Sequence, residues 1–313
     1  MVLNSIKNKK KLRIAIIGCT QSTENLINEL IKNKDINLVG LITLDETLAN
    51  KKARYVNLES KNFNHDFEVR KVKNLHDDSL FEKIYSWGLD VLIEIGWSQK
   101  IPSSILTIPK LGTVGIHNSL LPAFQGGASL NWALIKDCST WGTTLFYLEE
   151  NIDSGEIIFQ ESFDITDNDD INTLFLKSDK LSKEMINRYL PLASKNLAPR
   201  IKQNSSEISK TPRRTPEDSS INWSDDSRSI FNLVRALKRP YPSAFSFFHN
   251  KKVLINSAIV TNGKKAEAGM ITEIVDSGVV VSTGSGSILL TEIEYEDGSS
   301  FIPKIGEPFN GRL

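Results

Sequence analysis

The sequence predicts an α/β protein: a doubly wound, mostly parallel sheet followed by a smaller β-barrel-like domain. Short apolar runs alternate with helical periodicity over residues 12–192, a pattern typical of βαβ units. A polar stretch rich in Ser, Lys and Pro then interrupts the pattern, and short alternating runs with Gly-rich turns follow it. We therefore expect a catalytic domain at 1–195, a linker at 196–216 and a β-rich domain at 217–313.

In the first domain, β-branched apolar runs predict strands and turn-compatible apolar spacing predicts helices. Glu94 is unusual as the one glutamate in the apolar run DVLIEI, and we expect it at the carboxyl end of its strand, near the cleft. Ser129 is suited to cap the helix that follows it. The predicted strands are 12–18, 37–44, 67–72, 90–95, 113–116, 142–148 and 156–163. The predicted helices are 24–31, 80–87, 101–106, 129–136 and 169–192.

The second domain is predicted to hold one helix and several strands. The helix is expected at 227–237, with ten residues between the end of the linker and its start. Short alternating runs between Gly-rich turns indicate a small barrel or sandwich. The predicted strands are 244–248, 253–260, 269–275, 278–282 and 287–294.

Composition narrows the class of protein. The chain has 313 residues, 40% hydrophobic and 24% charged, with a formal net charge of zero, so the charge balance gives no case for binding a phosphate backbone. Cys19 and Cys138 have no zinc or disulfide spacing and indicate a reducing compartment, and the four histidines are not paired at metal-ligand spacing. The first apolar run is too short to span a membrane. We therefore expect a cytoplasmic protein without a metal.

The segment 115–160 carries the most chemical information. His117 stands at the end of a predicted strand, and Asp153 follows 36 positions later in a loop after another strand. Strand ends of a parallel sheet share one edge, where open α/β folds bind their ligands. An aspartate beside a histidine favours the charged imidazolium, which can hand a proton to a developing alkoxide or amine. From these residues alone, a half-buried structural histidine and a turn carboxylate beside Gly155 remain an equal alternative.

Two other chemistries are disfavoured by the motifs that are missing. The first βα turn, residues 18–22, offers one glycine where a dinucleotide fingerprint has three, which argues against a nicotinamide cofactor. No GxSxG elbow surrounds Ser119, which argues against a hydrolase nucleophile there.

This segment resembles the folate-dependent formyltransferase family, whose sites carry Asn-x-His, then Ser-Leu-Leu-Pro, then a later Asp-(Ser/Thr/Ala)-Gly. His117, the Ser-Leu-Leu-Pro at 119–122 and the Asp-Ser-Gly at 153–155 stand in the matching places. The resemblance continues from about Lys11 to the C-terminal domain, where 211–248 looks like the start of the second domain of long members. It implies 10-formyltetrahydrofolate as co-substrate and an amine as acceptor. His117, charged through Asp153, would stabilise the oxyanion and pass a proton to the departing folate nitrogen.

The resemblance also implies where folate binds. The pterin would lie along the Gly-Trp-Ser loop at 96–98 and the backbone of 149–153, where backbone groups read its amide-like edge and apolar side chains cover its face. For Trp97, a role as a core anchor is the alternative. The expected folate-binding residues are Trp97, Ser98, Ile101, Ser119, Leu120, Leu121, Pro122, Glu149, Glu150, Asn151, Ile152 and Asp153.

One position departs from the family pattern. The family usually has Asn two residues before the catalytic His, where it hydrogen-bonds the oxygen of the tetrahedral intermediate, and this chain has Gly115. Losing such a donor typically costs ~10²–10³ in rate. A branch of the family combines Gly-x-His with the Gly-Trp-Ser loop, which favours a substitute donor over an inactive homologue. Asn118, the backbone amides of 115–118 or a water are the candidates, and we expect Asn118 beside His117 and Asp153 in the catalytic set.

The acceptor is predicted from two further stretches. Family members that formylate initiator methionyl-tRNA carry a basic loop, close to QPDKPAGRGKK, after the second strand. Residues 45–66 have mixed charge instead, and we expect Lys51–Arg54 to be a solvated tract. The RPYPSAF stretch at 239–245 is closer to members that act on nucleotide-linked amino sugars. Arg235, Lys238 and Arg239 could contact a diphosphate, with ordinary surface charge as the alternative.

We therefore expect N-formylation of a UDP- or dTDP-4-amino-4,6-dideoxy sugar, as used in lipopolysaccharide O-antigen synthesis. The expected partners are small molecules, with neither nucleic acid nor membrane, and a homodimer is left open. Three alternatives stay open as well: a methionyl-tRNA formyltransferase, a formyltetrahydrofolate hydrolase that uses the same His/Asp pair, and a non-catalytic binder of folate or sugar nucleotide.

Overall fold

The computed structural model describes residues 11–63 and 66–310, so the outer ends of the predicted domains and His65 lie outside the described part. The chain forms two compact units. Unit 1 comprises the chain up to Gln125, Gly142–Ser162 and Lys177–Lys210; unit 2 comprises Gly126–Trp141, Phe163–Leu176 and the chain from Thr211. Each unit therefore draws on several separate segments. No helix in the described ranges is long and apolar enough to cross a bilayer.

A seven-stranded sheet has the strand order β3-β2-β1-β4-β5-β6-β7. Its first five strands are parallel, whereas β6 runs antiparallel to β5. The predicted doubly wound, mostly parallel sheet is thereby confirmed. The strands are β1 (Leu12–Ile17), β2 (Ile36–Leu44), β3 (Glu68–Val72), β4 (Val91–Glu94), β5 (Thr113–His117), β6 (Thr140–Tyr147) and β7 (Ile157–Asp164).

Five helices alternate with these strands along the chain, close to the predicted ranges. Ser129 differs from expectation: it is the first helical residue of its helix, and the preceding Ala128 takes the N-cap place in a left-handed conformation with φ 59°. No side-chain hydrogen bond caps that helix. The helices are α1 (Gln21–Leu30), α2 (Asp78–Ser86), α3 (Ser103–Leu106), α4 (Ser129–Ile135) and α5 (Ile171–Ala193).

The sheet is buried on both faces, which explains why its central strands are continuous apolar runs. On β1, Ile14 and Ile16 join the core beneath α1 and α5, while Ala15 and Ile17 join the core beneath α2 and α3. The same alternation on β4 sends Ile93 to the first core and Leu92 to the second.

Unit 2 contains a five-stranded antiparallel sheet in the order β10-β11-β12-β9-β8, which confirms the predicted β-rich second domain. The helix α6 (Ser227–Ala236) precedes it and is capped by Asp226, whose carboxylate accepts from the Ser229 amide at 2.9 Å. The strands are β8 (Ala244–Phe248), β9 (Lys251–Thr261), β10 (Ile271–Val275), β11 (Gly278–Ser282) and β12 (Ser287–Tyr295).

The first part of the predicted linker is bound to unit 1 by its backbone. Ile201 and Ile157 exchange two backbone hydrogen bonds, of 2.8 and 3.0 Å. Further along, the Gln125 amide donates to the Ser209 carbonyl at 2.8 Å. This part of the chain therefore adds backbone pairing to unit 1 next to the Asp153 loop.

Candidate active site

The candidate site lies at the carboxyl ends of β4 and β5. The strand order reverses between β1 and β4, and the carboxyl ends next to such a switch point are the ligand position of doubly wound sheets. Glu94, the last residue of β4, is the register partner of Gly115 on β5. His117 ends β5 on the same face as Gly115, because side chains two residues apart share a face.

His117 is buried, with 8% of its surface exposed, and both ring nitrogens face acceptors. Its Nε2 lies 2.9 Å from the Phe124 carbonyl oxygen, which can only accept, so Nε2 carries a hydrogen. Its Nδ1 lies 3.7 Å from Oδ2 of Asp153. The His and Asp singled out from the sequence are therefore brought together.

The Asp153 loop is held by groups that sequence patterns did not indicate. Asp153 has a positive φ of 56°, a conformation that Asp tolerates better than most residues. Its carbonyl oxygen accepts from Gln125 Nε2 at 3.0 Å and from Gln203 Nε2 at 2.8 Å. A Cβ at Gly155 would lie 1.8 Å from the Tyr147 carbonyl oxygen, so this position requires glycine. The loop that presents Asp153 is thus tightly constrained.

The Ser-Leu-Leu-Pro turn is fixed by hydrogen bonds from the neighbouring strand. Ser119 is fully buried, and its Oγ donates to the Ala123 carbonyl at 2.6 Å. Thr144 Oγ1 donates to the Ser119 carbonyl at 2.6 Å and accepts from the Leu121 amide at 3.1 Å. Leu121 is buried, the Leu121–Pro122 peptide is cis, and Leu120 is 37% exposed. The buried side chains shape this turn, and Leu120 is its exposed side chain, which a ligand could contact.

Trp97 provides the observation that fits a bound heterocycle. Its indole Nε1 is buried and has no hydrogen-bond partner among the described residues, although its ring packs against the core beneath α2 and α3. Buried donors are normally paired, so an unpaired one next to a candidate site points to a ligand acceptor. Ser98 beside it is exposed, and Ile101 is buried. The residues present therefore fit the predicted folate position.

The remaining predicted folate contacts lie in the loop that leads to Asp153. Glu149, Glu150 and Asn151 are exposed, and Ile152 is 65% exposed, a large exposed fraction for an apolar side chain. Ser154 Oγ closes the turn by donating to the Asn151 carbonyl at 3.0 Å. The loop is therefore exposed over 149–152 and includes one exposed apolar side chain, Ile152, which is compatible with the predicted pterin position.

Asn118, predicted as a catalytic residue, is engaged elsewhere. Its Oδ1 accepts from Ser178 Oγ on α5 at 2.6 Å, and the same hydroxyl lies 2.9 Å from Thr143 Oγ1. This contact directs the Asn118 oxygen towards α5, whereas Gly115 and His117 share the face beneath α2 and α3. Asn118 follows His117 in the chain, but its side chain lies on the other side of the sheet, where it is hydrogen-bonded to Ser178 on α5.

A buried polar cluster adds residues that the sequence prediction missed. Glu94 Oε1 accepts from the Trp97 amide at 2.9 Å. Burial raises the pKa of Glu94 to about 7, opposed by that hydrogen bond and by Lys52, and assisted by the charge of Asp153. Burial lowers the pKa of Lys52 and raises that of Cys19 to about 11. The lone carboxylate in an apolar run was the one sequence signal for this cluster, and its predicted place at the end of β4 is confirmed.

The tract expected to be solvated is packed inward at two positions, which corrects that prediction. Arg54 has a side chain only 10% exposed, and its guanidinium lies 3.9 Å from Asp179 and 3.4 Å from Ser22 Oγ. Lys52 is half-buried beside Glu94 and Cys19. The charge pattern could not indicate this, because the acidic partner of Arg54 lies on α5, far along the chain.

The three basic residues considered for a diphosphate all have partners within unit 2. Arg235 is buried, and it donates to Asn232 Oδ1 at 2.9 Å and to the Thr166 carbonyl at 2.8 Å. Lys238 pairs with Asp170 at 3.2 Å, and Arg239 pairs with Glu294. These contacts favour structural roles. In the same described part of the chain, no group of three His, Cys, Asp or Glu side chains could hold a metal ion.

A doubly wound sheet with a histidine and a carboxylate close together beside the carboxyl ends of its strands is an arrangement typical of α/β enzymes. Two family descriptions match the chain: "Formyl transferase" over residues 10–190 and "Formyl transferase, C-terminal domain" over residues 213–304. The chain belongs to the formyl transferase family and is a formyltransferase.

Individual relatives agree with this assignment. The methionyl-tRNA formyltransferase of Staphylococcus epidermidis is 31% identical over 231 residues, 74% of each chain. HypX of Aquifex aeolicus, solved in complex with tetrahydrofolic acid, has a TM-score of 0.69 at 19% identity; the match covers 92% of this chain but only 45% of HypX. The N-formyltransferase of Helicobacter canadensis, solved with folinic acid and dTDP-3-aminofucose, has a TM-score of 0.67 at 18% identity, covering 90% and 99%. At these identities the two solved structures establish similarity of fold alone.

Proposed function

We propose that this formyltransferase N-formylates a nucleotide-linked amino sugar of the 4-amino-4,6-dideoxy type, carried on UDP or dTDP. Its co-substrate is 10-formyltetrahydrofolate, which supplies the formyl group. Transfer forms a bond between the acceptor nitrogen and the formyl carbon and breaks the bond from that carbon to the folate nitrogen. One proton leaves the acceptor amine and one is taken up by the departing nitrogen. A place in O-antigen synthesis follows from such a product.

His117 and Asp153 are the residues proposed to manage that proton. With Nε2 donating to the Phe124 carbonyl, Nδ1 is the atom that can present a hydrogen towards the reacting groups, next to the Asp153 carboxylate at 3.7 Å. A cationic ring there stabilises negative charge developing on the formyl oxygen, and it can protonate the departing nitrogen. Asp153 orients the ring and balances its charge. Proton transfer of this kind contributes ~10²–10⁴-fold in rate.

The proposed donor site uses the loops on either side of this pair. Nε1 of Trp97, which has no partner among the described residues, would donate a hydrogen bond, and backbone groups of the exposed loop 149–152 would pair with the edge of the heterocycle. The constraints on Asp153 from Gln125 and Gln203 keep the loop in place while the donor binds. Positioning of this kind lowers the entropic part of the barrier.

The inward packing of Arg54 is the observation that most favours a small acceptor over tRNA. A loop that grips tRNA needs lysine and arginine side chains free to meet phosphates. Here the guanidinium of Arg54 is directed to Asp179 and Ser22, and the ammonium of Lys52 is half-buried beside Glu94. The zero net charge of the chain agrees with this preference. An amino-sugar nucleotide needs only a small cleft.

A panel of amino-sugar nucleotides incubated with 10-formyltetrahydrofolate and analysed by mass spectrometry tests the proposal. We expect one acceptor to gain a single formyl group, with tetrahydrofolate formed in equal amount. Tetrahydrofolate released with formate and no formylated sugar would instead identify a hydrolase. Binding of both ligands without any product would identify a non-catalytic binder.

A methionyl-tRNA acceptor is the second candidate, because the 31% identical relative is a methionyl-tRNA formyltransferase. Charged initiator tRNA therefore belongs in the same panel. Formyl-methionyl-tRNA formed at a higher kcat/KM than any formylated sugar, with binding that weakens steeply as salt rises, would replace the sugar proposal. If the acceptor is an amino-sugar nucleotide, we expect no formyl-methionyl-tRNA and little dependence of kcat/KM on salt.

A further inference from the structure

We propose that Glu94 is a catalytic hydrogen-bond donor that takes the place of the asparagine amide absent at residue 115. The inference rests on the proposed formyl transfer at this site and assigns a further residue to it. Glu94 would carry a hydrogen on Oε2 and donate it to the formyl oxygen as negative charge develops there. No proton is transferred in this step, so Glu94 returns unchanged.

The space beside Gly115 is the first observation. A Cβ built on Gly115 would lie 2.7 Å from Cδ2 of Leu148 and 3.2 Å from Oε2 of Glu94. An asparagine side chain therefore could not enter this space without displacing Leu148. The glutamate carboxyl already occupies the neighbouring position, so a polar group from β4 stands where β5 would otherwise supply one.

The strand register gives the second observation. Glu94 and Gly115 are partners on adjacent parallel strands, so the Glu94 side chain emerges on the same face as the side chain that Gly115 lacks. His117 follows on that face about 6.6 Å further along β5, two residues at the usual strand rise. The carboxyl of Glu94 and the imidazole of His117 thus lie on the same face of the sheet, on neighbouring strands.

The hydrogen-bonding of the carboxyl decides which oxygen can act. Oε1 accepts from the Trp97 amide at 2.9 Å, which fixes the carboxyl and orients it. Oε2 is the atom directed to the space beside Gly115. A carboxyl held through one oxygen and protonated on the other is a donor equivalent to the NH₂ of an asparagine side chain.

The surroundings of the carboxyl favour a proton on it. The charged or titratable groups that act on it are Lys52, which follows the 3₁₀ helix Glu46–Lys51, Cys19 after β1, and Asp153 in the loop after β6; His117, on the neighbouring strand β5, contacts Asp153. Burial is the largest influence on Glu94, and Asp153 acts in the same direction, whereas Lys52 and the Trp97 amide oppose them. The result is a carboxyl whose pKa is raised to about 7.

The test compares Glu94→Gln with Glu94→Ala across pH in the full-length protein. Glutamine keeps the acceptor for the Trp97 amide and a donor at the other terminal atom, so kcat should stay within about tenfold of wild type, whereas alanine should lose ~10²–10³ in kcat with little change in KM. Wild-type kcat should fall above pH about 7 as Glu94 ionises, and Glu94→Gln should not show that fall. Glu68→Gln, which removes a paired carboxylate on β3, is the control and should behave as wild type.

Two outcomes would overturn the inference. If Glu94→Gln is inactive at every pH while wild-type kcat rises through pH 7, Glu94 acts as a general base. If Glu94→Ala keeps near wild-type kcat, Glu94 has no role in the chemistry.

A measurement without an acceptor separates this inference from the proposed function. The infrared stretch of a ¹³C-labelled formyl group in a non-transferring 10-formyl donor analogue reports a hydrogen bond to the carbonyl as a shift to lower wavenumber. We expect that shift at pH 6 in wild type and Glu94→Gln, and its loss at pH 9 in wild type alone. If the formyl stretch has the same wavenumber in Glu94→Ala and in wild type at pH 6, the assignment is contradicted, even if a sugar product is found. The expected shift in a protein that formylates no sugar would instead leave Glu94 supported and the proposed acceptor wrong.

Discussion

His117 is held between two acceptors, the Phe124 carbonyl at 2.9 Å from Nε2 and the Asp153 carboxylate at 3.7 Å from Nδ1. The first contact comes from the residues just after the Ser-Leu-Leu-Pro turn and the second from the loop after β6. The orientation of the imidazole therefore depends on two loops that are each fixed by their own hydrogen bonds.

Replacing Gly155 by alanine should damage the site through the backbone. The added Cβ would lie 1.8 Å from the Tyr147 carbonyl oxygen, so the loop that carries Asp153 must shift. We expect a loss of about 1–3 kcal/mol in the free energy of unfolding and on the order of 10²-fold in kcat, since small displacements of catalytic groups are costly. Thermal unfolding and steady-state kinetics measure the two effects.

Gly127→Ala is the matched control, because no atom of the described residues other than its two chain neighbours lies within 4 Å of a Cβ at that position. It should keep both stability and rate. Equal effects of the two substitutions would contradict a specific constraint at the Asp153 loop.

Trp97→Phe should raise the KM for the folate donor about 2–10-fold, the equivalent of one lost hydrogen bond, and leave the KM for the acceptor unchanged. The reason is that Nε1 of Trp97 is buried with no partner among the residues that the structure describes, so the proposed hydrogen bond to the donor is the one that phenylalanine would lose. Trp87→Phe is the control, since its Nε1 donates to Glu68 Oε2 at 3.1 Å and should affect stability only. An unchanged donor KM in Trp97→Phe would place the pterin elsewhere.

Glu94 should make stability depend on pH in a defined window. Its pKa is raised from 4.5 to about 7 in the folded protein, so between these values the folded state binds more protons than the unfolded state. The contribution of this group is fully present below pH 4.5, is lost as pH rises to 7, and is constant above. Wild type should therefore lose roughly 1–3 kcal/mol relative to Glu94→Gln between pH 5 and pH 8.

Unfolding by denaturant at the two pH values measures this difference directly. The two proteins should differ less in unfolding free energy at pH 5 than at pH 8, where Glu94→Gln should be the more stable. If wild type and Glu94→Gln differ by the same unfolding free energy at pH 5 and pH 8, Glu94 is ionised in the folded protein at both pH values.

The sequence predicted the sheet well because its central strands are apolar on both faces, so runs such as 12–17 and 91–94 have few other stable arrangements. It also predicted that His117 and Asp153 would meet, since both follow strands of one sheet edge. It could not place the side chain of Asn118, because the hydroxyl that binds it belongs to Ser178 on α5. Local patterns likewise could not predict the inward packing of Arg54, whose partner Asp179 is distant in sequence.

The glutamines that hold the Asp153 loop were missed for a related reason. Gln125 and Gln203 act on the carbonyl of Asp153 from segments with no periodic pattern, and hydrogen bonds to a backbone carbonyl leave no motif. Glu94 was noticed, since a charge inside a buried strand is rare, but its relation to Gly115 depends on the register of β4 and β5. The register between two parallel strands joined by a crossover cannot be predicted from the sequence of either strand alone.

The central claim is that His117 and Asp153 act as one unit in formyl transfer, and a double-mutant cycle on the rate of ¹³C-formyl transfer tests it most directly. Asparagine suits both positions, and it tolerates the positive φ at 153. His249→Asn is the control, because His249 forms a comparable contact with Glu307 at 3.5 Å in unit 2. We predict that His117→Asn and Asp153→Asn each lose ~10²–10⁴ in kcat. The kcat of the double variant should be at most about tenfold lower than that of the less active single variant. Either single variant at the wild-type rate, or losses that multiply fully in the double variant, would contradict the claim.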